Sequence, residues 1–232
     1  MIPTQILNSN FLRSIPSCME IRTGNIRNDY SEAVGTRQFT NGISQATWDT
    51  RYGQIVSVAE QQGLDPLIAD RKIWKAAIVL DPNTQTLYAF TSTPNYNKVL
   101  HDIAEGNTTH YFYLLAINSD EPVGVQTSLF ESTDAEADTE RLLHAKEILE
   151  DKIKLAKHFI VIHYNYKGIA FGTISLLDNQ GTELSSMSLD EFLANNQESI
   201  AVKIDKPHDN ENITPDPSKP LVSWKGKSKE IK

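Results

Sequence analysis

Residues 73–91 read Ile-Trp-Lys-Ala-Ala-Ile-Val-Leu-Asp-Pro-Asn-Thr-Gln-Thr-Leu-Tyr-Ala-Phe-Thr, and this stretch decides the fold class. Ile73–Leu80 is a short apolar run, and Thr86–Thr91 has β character with alternation. Between them lies Asp81-Pro82-Asn83-Thr84, where Pro82 supplies the fixed φ of a turn's second position. Two β-prone runs separated by turn residues predict a β-hairpin.

Upstream, Trp48, Tyr52, Ile55, Val56 and Ala59 recur at a period near 3.6, which predicts a helix. Ser44 is its expected N-cap and Gly63 its expected stop, since glycine enters the left-handed region cheaply. Residues 22–43 are polar and rich in Gly, Asn and Asp, and they read as a long loop. Ile6, Leu7, Leu12 and Ile15 suggest a short helix over residues 4–15.

Downstream, residues 95–104 read as a helix stopped near Gly106, and the aromatic run His110–Asn118 as a third strand. Residues 121–128 read as irregular. Thr133 and Glu136 form a capping box that opens a long helix. Asp134, Glu136, Asp138 and Glu140 precede Lys152, Lys154 and Lys157 along it, the order that the helix dipole favours. His158–Tyr164, Ile169–Leu177 and about Leu184–Met187 read as strands, and a second capping box, Ser188 with Glu191, opens a short final helix.

Strands joined by short turns favour antiparallel pairing. The expected class is therefore α+β, a mainly antiparallel sheet with helices packed on one face. Residues 1–200 read as a single α+β domain. Residues 201–232 read as a flexible tail, in which four prolines break a polar run and Trp224 sits among Lys225, Lys227, Lys229 and Lys232.

Composition excludes several classes. The 232 residues carry a net charge of −8, which weighs against a generic phosphate-backbone binder. The single Cys18 forms no internal disulfide and rules out a Cys-only zinc site. The longest apolar runs, Ala76–Leu80 and Tyr111–Ile117, are too short to cross a bilayer, and Met1–Gln5 lacks the pattern of a signal peptide. The expected compartment is the cytoplasm, and no membrane association is expected.

Three groups of residues are candidates for a site. Arg71, Trp74 and Lys75 open the first strong strand. Two cations and an indole can bind a phosphate or a nucleobase, although basic residues at a strand end more often just cover apolar surface. His101 and Asp102, with His110 eight residues beyond Asp102, offer an imidazole near a carboxylate for acid–base work, but no nucleophile motif accompanies them. His158 and His163 stand five apart on a strand and face opposite sides, so together they do not chelate one metal. Glu150-Asp151-Lys152 matches a nuclease-like E-x-K, and at that length a solvated helix face is the commoner meaning. The acidic cluster 131–140 suits a basic partner, or simply the start of a helix. No phosphate loop, dinucleotide fingerprint or zinc-hydrolase motif is present, and no metal or cofactor is expected.

Asn41-Gly42-Ile43, Trp48, Trp74, Ile78-Val79-Leu80-Asp81, Thr86-Leu87-Tyr88 and His110-Tyr111 resemble an uncharacterised family of small proteins from Gram-positive bacteria. The resemblance spans about residues 41–118, and more loosely the strand near 159–164. It implies a bacterial origin and a shared core, and it transfers no activity. The function expected is that of a protein-interaction or regulatory module with a protein partner, of the kind a mobile element or defence system carries. The alternative is a hydrolase or nuclease acting on nucleic acid or a nucleotide through Arg71, Lys75 and His110.

Overall fold

The expected hairpin forms. Strands β2 (Lys75–Asp81) and β3 (Thr86–Ser92) pair antiparallel from Asp81↔Thr86 to Ile78↔Ala89 in a computed structural model. It describes residues 1–36, 38–70, 74–119 and 135–194, with the side chains of 135–137 and 194 left aside. The Asp81 carboxylate accepts from the Asn83 amide at 2.9 Å and fastens the turn. Gln85 closes it at φ 56°. The Gln85 carbonyl then accepts from the amides of Lys157 and His158 at 2.8 and 3.2 Å, tying the turn to the start of a later strand.

Four further strands complete one sheet: β1 (Asp65–Asp70), β4 (His158–Asn165), β5 (Phe171–Leu177) and β6 (Glu183–Ser188). They lie in sequence order, and every neighbouring pair is antiparallel except β3–β4, which is parallel. Strand β1 was not anticipated. Pro66 argues against a central strand, but at an edge its missing N–H costs no ladder bond.

The helices are α1 (Ser9–Met19), α2 (Thr23–Ala33), α3 (Ile43–Gln61), α4 (Thr93–Ala104), α5 (Tyr111–Leu115), α6 (Ala135–Leu149) and α7 (Asp190–Ala194). Helix α3 buries Tyr52, Ile55 and Ala59 as its period requires, and Gly63 ends it at φ 70°. Its N-cap is Gly42, two residues before the expected Ser44. Residues 23–33, expected as loop, form α2. The Asn25 side chain accepts from the Arg22 amide at 2.7 Å, and the helix packs on α3, where the Tyr30 hydroxyl accepts from Gly42 N at 3.1 Å.

The third strand expected at 110–118 is a helix instead, α5 followed by a 3-10 turn at Ala116–Asn118. A continuous apolar run fits a buried strand and a buried helix equally. Here the buried positions are Tyr111, Phe112, Leu115 and Ala116, a helical spacing without alternation.

The class is α+β and the sheet mainly antiparallel, as expected, but helices cover both faces rather than one. On one face Phe11 of α1 packs against Tyr88 and Phe90, with ring centroids 5.4 and 6.2 Å apart. On the other, Phe112 of α5 meets Phe159 at 5.9 Å and Tyr96 of α4 stacks on His163 at 4.1 Å. The central strands are accordingly buried along nearly their whole length. That follows from the parallel pair: the crossover between its strands carries α4 and α5 over one face while α1 holds the other.

Strands β4 and β5 pair Tyr164 with Gly172. A Cβ on Gly172 would stand 2.6 Å from the Tyr164 ring and 2.9 Å from Leu189. The Tyr164 ring is buried and cannot swing aside, so Gly172→Ala is expected to destabilise the fold by roughly 1–3 kcal/mol, the cost of overpacking. Urea denaturation reads this directly, and an unchanged midpoint would contradict the packing described.

Several expectations fall outside the described residues. These are Arg71 with its neighbours Lys72 and Ile73, the irregular stretch 121–128, Thr133 of the capping box, most of the acidic cluster, and the Pro-rich tail from 201.

Candidate functional site

A cleft of about 410 Å³ opens at the carboxyl end of β3 and is lined by Trp48, Tyr52, Trp74, Thr91, Ser92, Asn95 and His110. Strand β2 runs antiparallel to β3, so the residue entering β2, Trp74, lands beside the residues leaving β3, Thr91 and Ser92. Trp48 and Tyr52 stand one turn apart on α3 and therefore share a face. Asn95 lies in the first turn of α4, and His110 immediately precedes α5. The cleft occupies the carboxyl end of one strand of the parallel pair, the usual position of ligands in sheets with crossover helices.

The aromatic residues build a corner. Trp48 and Tyr52 lie 5.3 Å apart with planes tilted by 34°, and Tyr52 and Trp74 lie 6.0 Å apart nearly edge to face at 72°. The Tyr52 hydroxyl donates to the Phe90 carbonyl at 3.4 Å, and burial pushes its pKa well up, so the phenol stays neutral. Asn95 Nδ2 donates to Thr91 Oγ1 at 2.8 Å across that turn. His110 Nδ1 accepts from the Phe112 amide at 3.2 Å, so the neutral ring carries its proton on Nε2. None of the seven lining side chains bears a fixed charge.

Arg51 supports the corner from behind. Its guanidinium lies 4.6 Å over the Trp48 ring and 4.2 Å over the Tyr166 ring, while Nε donates to the Ile21 carbonyl at 2.9 Å. Burial lowers the pKa of this guanidinium, and Tyr166 and Tyr52 oppose the shift.

One strand further in, a polar chain crosses the buried side of the sheet. Thr93 Oγ1 lies 3.0 Å from His163 Nδ1, and His163 Nε2 lies 3.1 Å from Ser175 Oγ. Tyr96 stacks on the imidazole and donates its hydroxyl to Glu183 at 2.6 Å. His163 is only 5% exposed, and burial drives its pKa down to about 4 against the pull of Glu183. Burial acts to raise Glu183, but hydrogen bonds from Tyr96, Ser186 and Ser175 outweigh it and hold the carboxyl below its ordinary value.

The residues singled out in the sequence divide between this cleft and the surface. Trp74 and His110 are brought together. Lys75 is exposed and pairs with Asp70 at 3.2 Å, away from the cleft. Asp102 bonds Lys98 one turn back on α4, and that bond first of all lowers its pKa. His101 is exposed on the same helix. Glu150-Asp151-Lys152 opens a 3-10 turn (Glu150–Leu155), and Lys152 reaches Asp65 at 3.2 Å. Among the described residues, no three His, Cys, Asp or Glu side chains converge as a metal site, and no helix is long and apolar enough to cross a membrane. The sequence reading missed Trp48 and Tyr52 as cleft walls because their spacing reads as core. It missed Thr91, Ser92 and Asn95 because lone hydroxyls and amides carry no motif.

A family model, described as a family of unknown function and designated DUF5986, matches residues 4–230. The chain belongs to DUF5986. The match runs well past the 41–118 core of the sequence resemblance, so the DUF5986 unit contains both β3 with its cleft and β4 with its buried His163. Neither the curated proteins nor the solved structures contain a match.

Proposed function

We propose that this chain is a regulatory or interaction module of the bacterial cytoplasm that holds a small, flat, uncharged heterocycle in the aromatic cleft and presents the result to a protein partner. One observation carries the reading: Trp48, Tyr52, Trp74 and His110, from three separate segments, converge on Thr91, Ser92 and Asn95. Stacking surface with a few fixed polar groups is the usual make-up of a small-molecule site. Among the described residues no lysine or arginine lines the cleft to neutralise a phosphate, which favours a neutral ring. The hydrolase alternative gains little from the residues first considered for it, because Lys75 and Asp102 are drawn to other partners.

Two tryptophans in the wall make their fluorescence the natural readout. Titration with adenosine is expected to quench it saturably, with glucose as a non-planar control. Trp74→Ala is expected to weaken adenosine binding about tenfold or more, since stacking a base on an aromatic ring contributes roughly 1–3 kcal/mol. Fluorescence unmoved by adenosine, uridine and other free bases at millimolar concentration would remove the reading. A response to glucose alone would replace it with a saccharide site.

A further inference from the structure

We infer that Thr93 is a nucleophile, its hydroxyl polarised by His163, which Ser175 and the stacked Tyr96 hold in place. This goes beyond ligand binding in the cleft and rests on different atoms.

An ionised carboxylate only accepts, so Glu183 takes the Tyr96 hydroxyl proton and fixes the ring that stacks on the imidazole. In the productive tautomer Ser175 Oγ accepts from His163 Nε2 at 3.1 Å. The imidazole then carries its proton on Nε2 and offers the lone pair of Nδ1 to Thr93 Oγ1 at 3.0 Å. That is the arrangement of a hydroxyl, an imidazole base and an orienting group, here the Ser175 hydroxyl in place of an acid. The parts that must be rigid are buried: His163 is 5% exposed, Ser175 0%, and the Tyr96 ring clamps the imidazole within 9° of parallel. The part that must be reached is not, since Thr93 is half-buried, between the cleft residues Ser92 and Asn95.

Position adds to geometry. Thr93 is the first residue of α4, directly after β3, so the hydroxyl sits on a strand-to-helix turn at the positive end of a twelve-residue helix. Negative charge that develops on an attacked group is stabilised there. Pro94 lacks an N–H, so the Asn95 amide is the next main-chain donor along the turn.

The substrate class is an ester or another activated acyl group. As Thr93 Oγ1 bonds to the carbonyl carbon, its proton passes to His163 Nδ1. The bond from that carbon to the leaving oxygen breaks, and the leaving oxygen takes the proton from Nδ1. Water repeats the step on the acyl-threonine and frees it. The sum is ester plus water giving acid plus alcohol.

A fluorophosphonate probe tests the nucleophile without a known substrate, because Thr93 Oγ1 displaces fluoride from phosphorus and the proton leaves with it as HF. Intact-mass and peptide spectra of the full chain are expected to show one adduct, on Thr93. Thr93→Val, nearly the same shape, should abolish it while the far-UV spectrum is unchanged. His163→Gln should slow labelling about tenfold or more, less than a base matched to the working pH would contribute, because burial makes this imidazole a weak base. Because loss of His163 can also disturb folding, Glu183→Gln serves as the second variant and should slow labelling while the melting curve stays cooperative. No adduct, an adduct elsewhere, or labelling that Thr93→Val leaves intact would overturn the proposal. Adenosine titration of Thr93→Val reads the cleft separately, so failure of one reading leaves the other standing.

Discussion

Arg51→Ala is expected to lower the melting temperature by roughly 6–12 °C, from a loss of about 3 kcal/mol spread over a chain of this size. Arg51 is 5% exposed, and among the described residues no carboxylate pairs with it. Its charge is held instead by two ring faces and by the Ile21 carbonyl, which follows the end of α1 and precedes α2. Removing the side chain strands that carbonyl without a donor and opens a gap between Trp48 and Tyr166. Arg51→Lys is expected to recover little, because an ammonium lacks the flat fork that donates twice to one oxygen while lying between rings. Thermal melts at neutral pH decide the matter, and a shift under about 2 °C would mean that the clamp contributes only surface-level stability. The Trp48 wall should loosen as well, so adenosine affinity should fall in the same variant.

The second large effect is on acid stability. In the folded chain His163 titrates at about 4, well below the ordinary histidine value near 6.5, because burial disfavours its charged form. Between those two values the unfolded chain binds a proton that the folded chain does not. Stability therefore falls as pH falls across that window, by about 3 kcal/mol in total if the whole shift is realised. Above the window the contribution is fully present, and below it the contribution is gone. Other carboxylates titrate nearby, so the clean measurement is a difference. The stability gap between the native chain and His163→Gln, from urea denaturation, should narrow steadily from pH 7 to pH 4. A constant gap would mean that the imidazole protonates in place without cost.

What the sequence revealed depended on how local each signal was. The β2–β3 hairpin was legible because Asp81-Pro82-Asn83-Thr84 carries turn chemistry between two β runs. Helix α3 was legible from its period and from Gly63. Residues 111–115 were not, since an unbroken apolar run has no period to read. Strand β1 and helix α2 owe their form to neighbours: β1 to the ladder of β2, and α2 to the flank of α3. In the cleft, Trp74 and His110 were noticed for their chemistry, and only the fold brings them into one cleft. His163 was weighed as a metal ligand with His158 and set aside. Its actual partners, Thr93 and Ser175, lie 70 and 12 residues away, and no spacing rule links them.

The lone parallel pairing between β3 and β4 divides the sheet into two three-stranded meanders. Within each meander a strand finds its mate across a short turn, so those pairings close early and locally. The seam joins strands far apart in sequence, one ending at Ser92 and the other starting at His158, and closing so distant a pair is slow. Thr93 and His163 sit on opposite sides of that seam. Their meeting is therefore expected late in assembly, so a chain with only its meanders formed would lack the hydroxyl–imidazole couple.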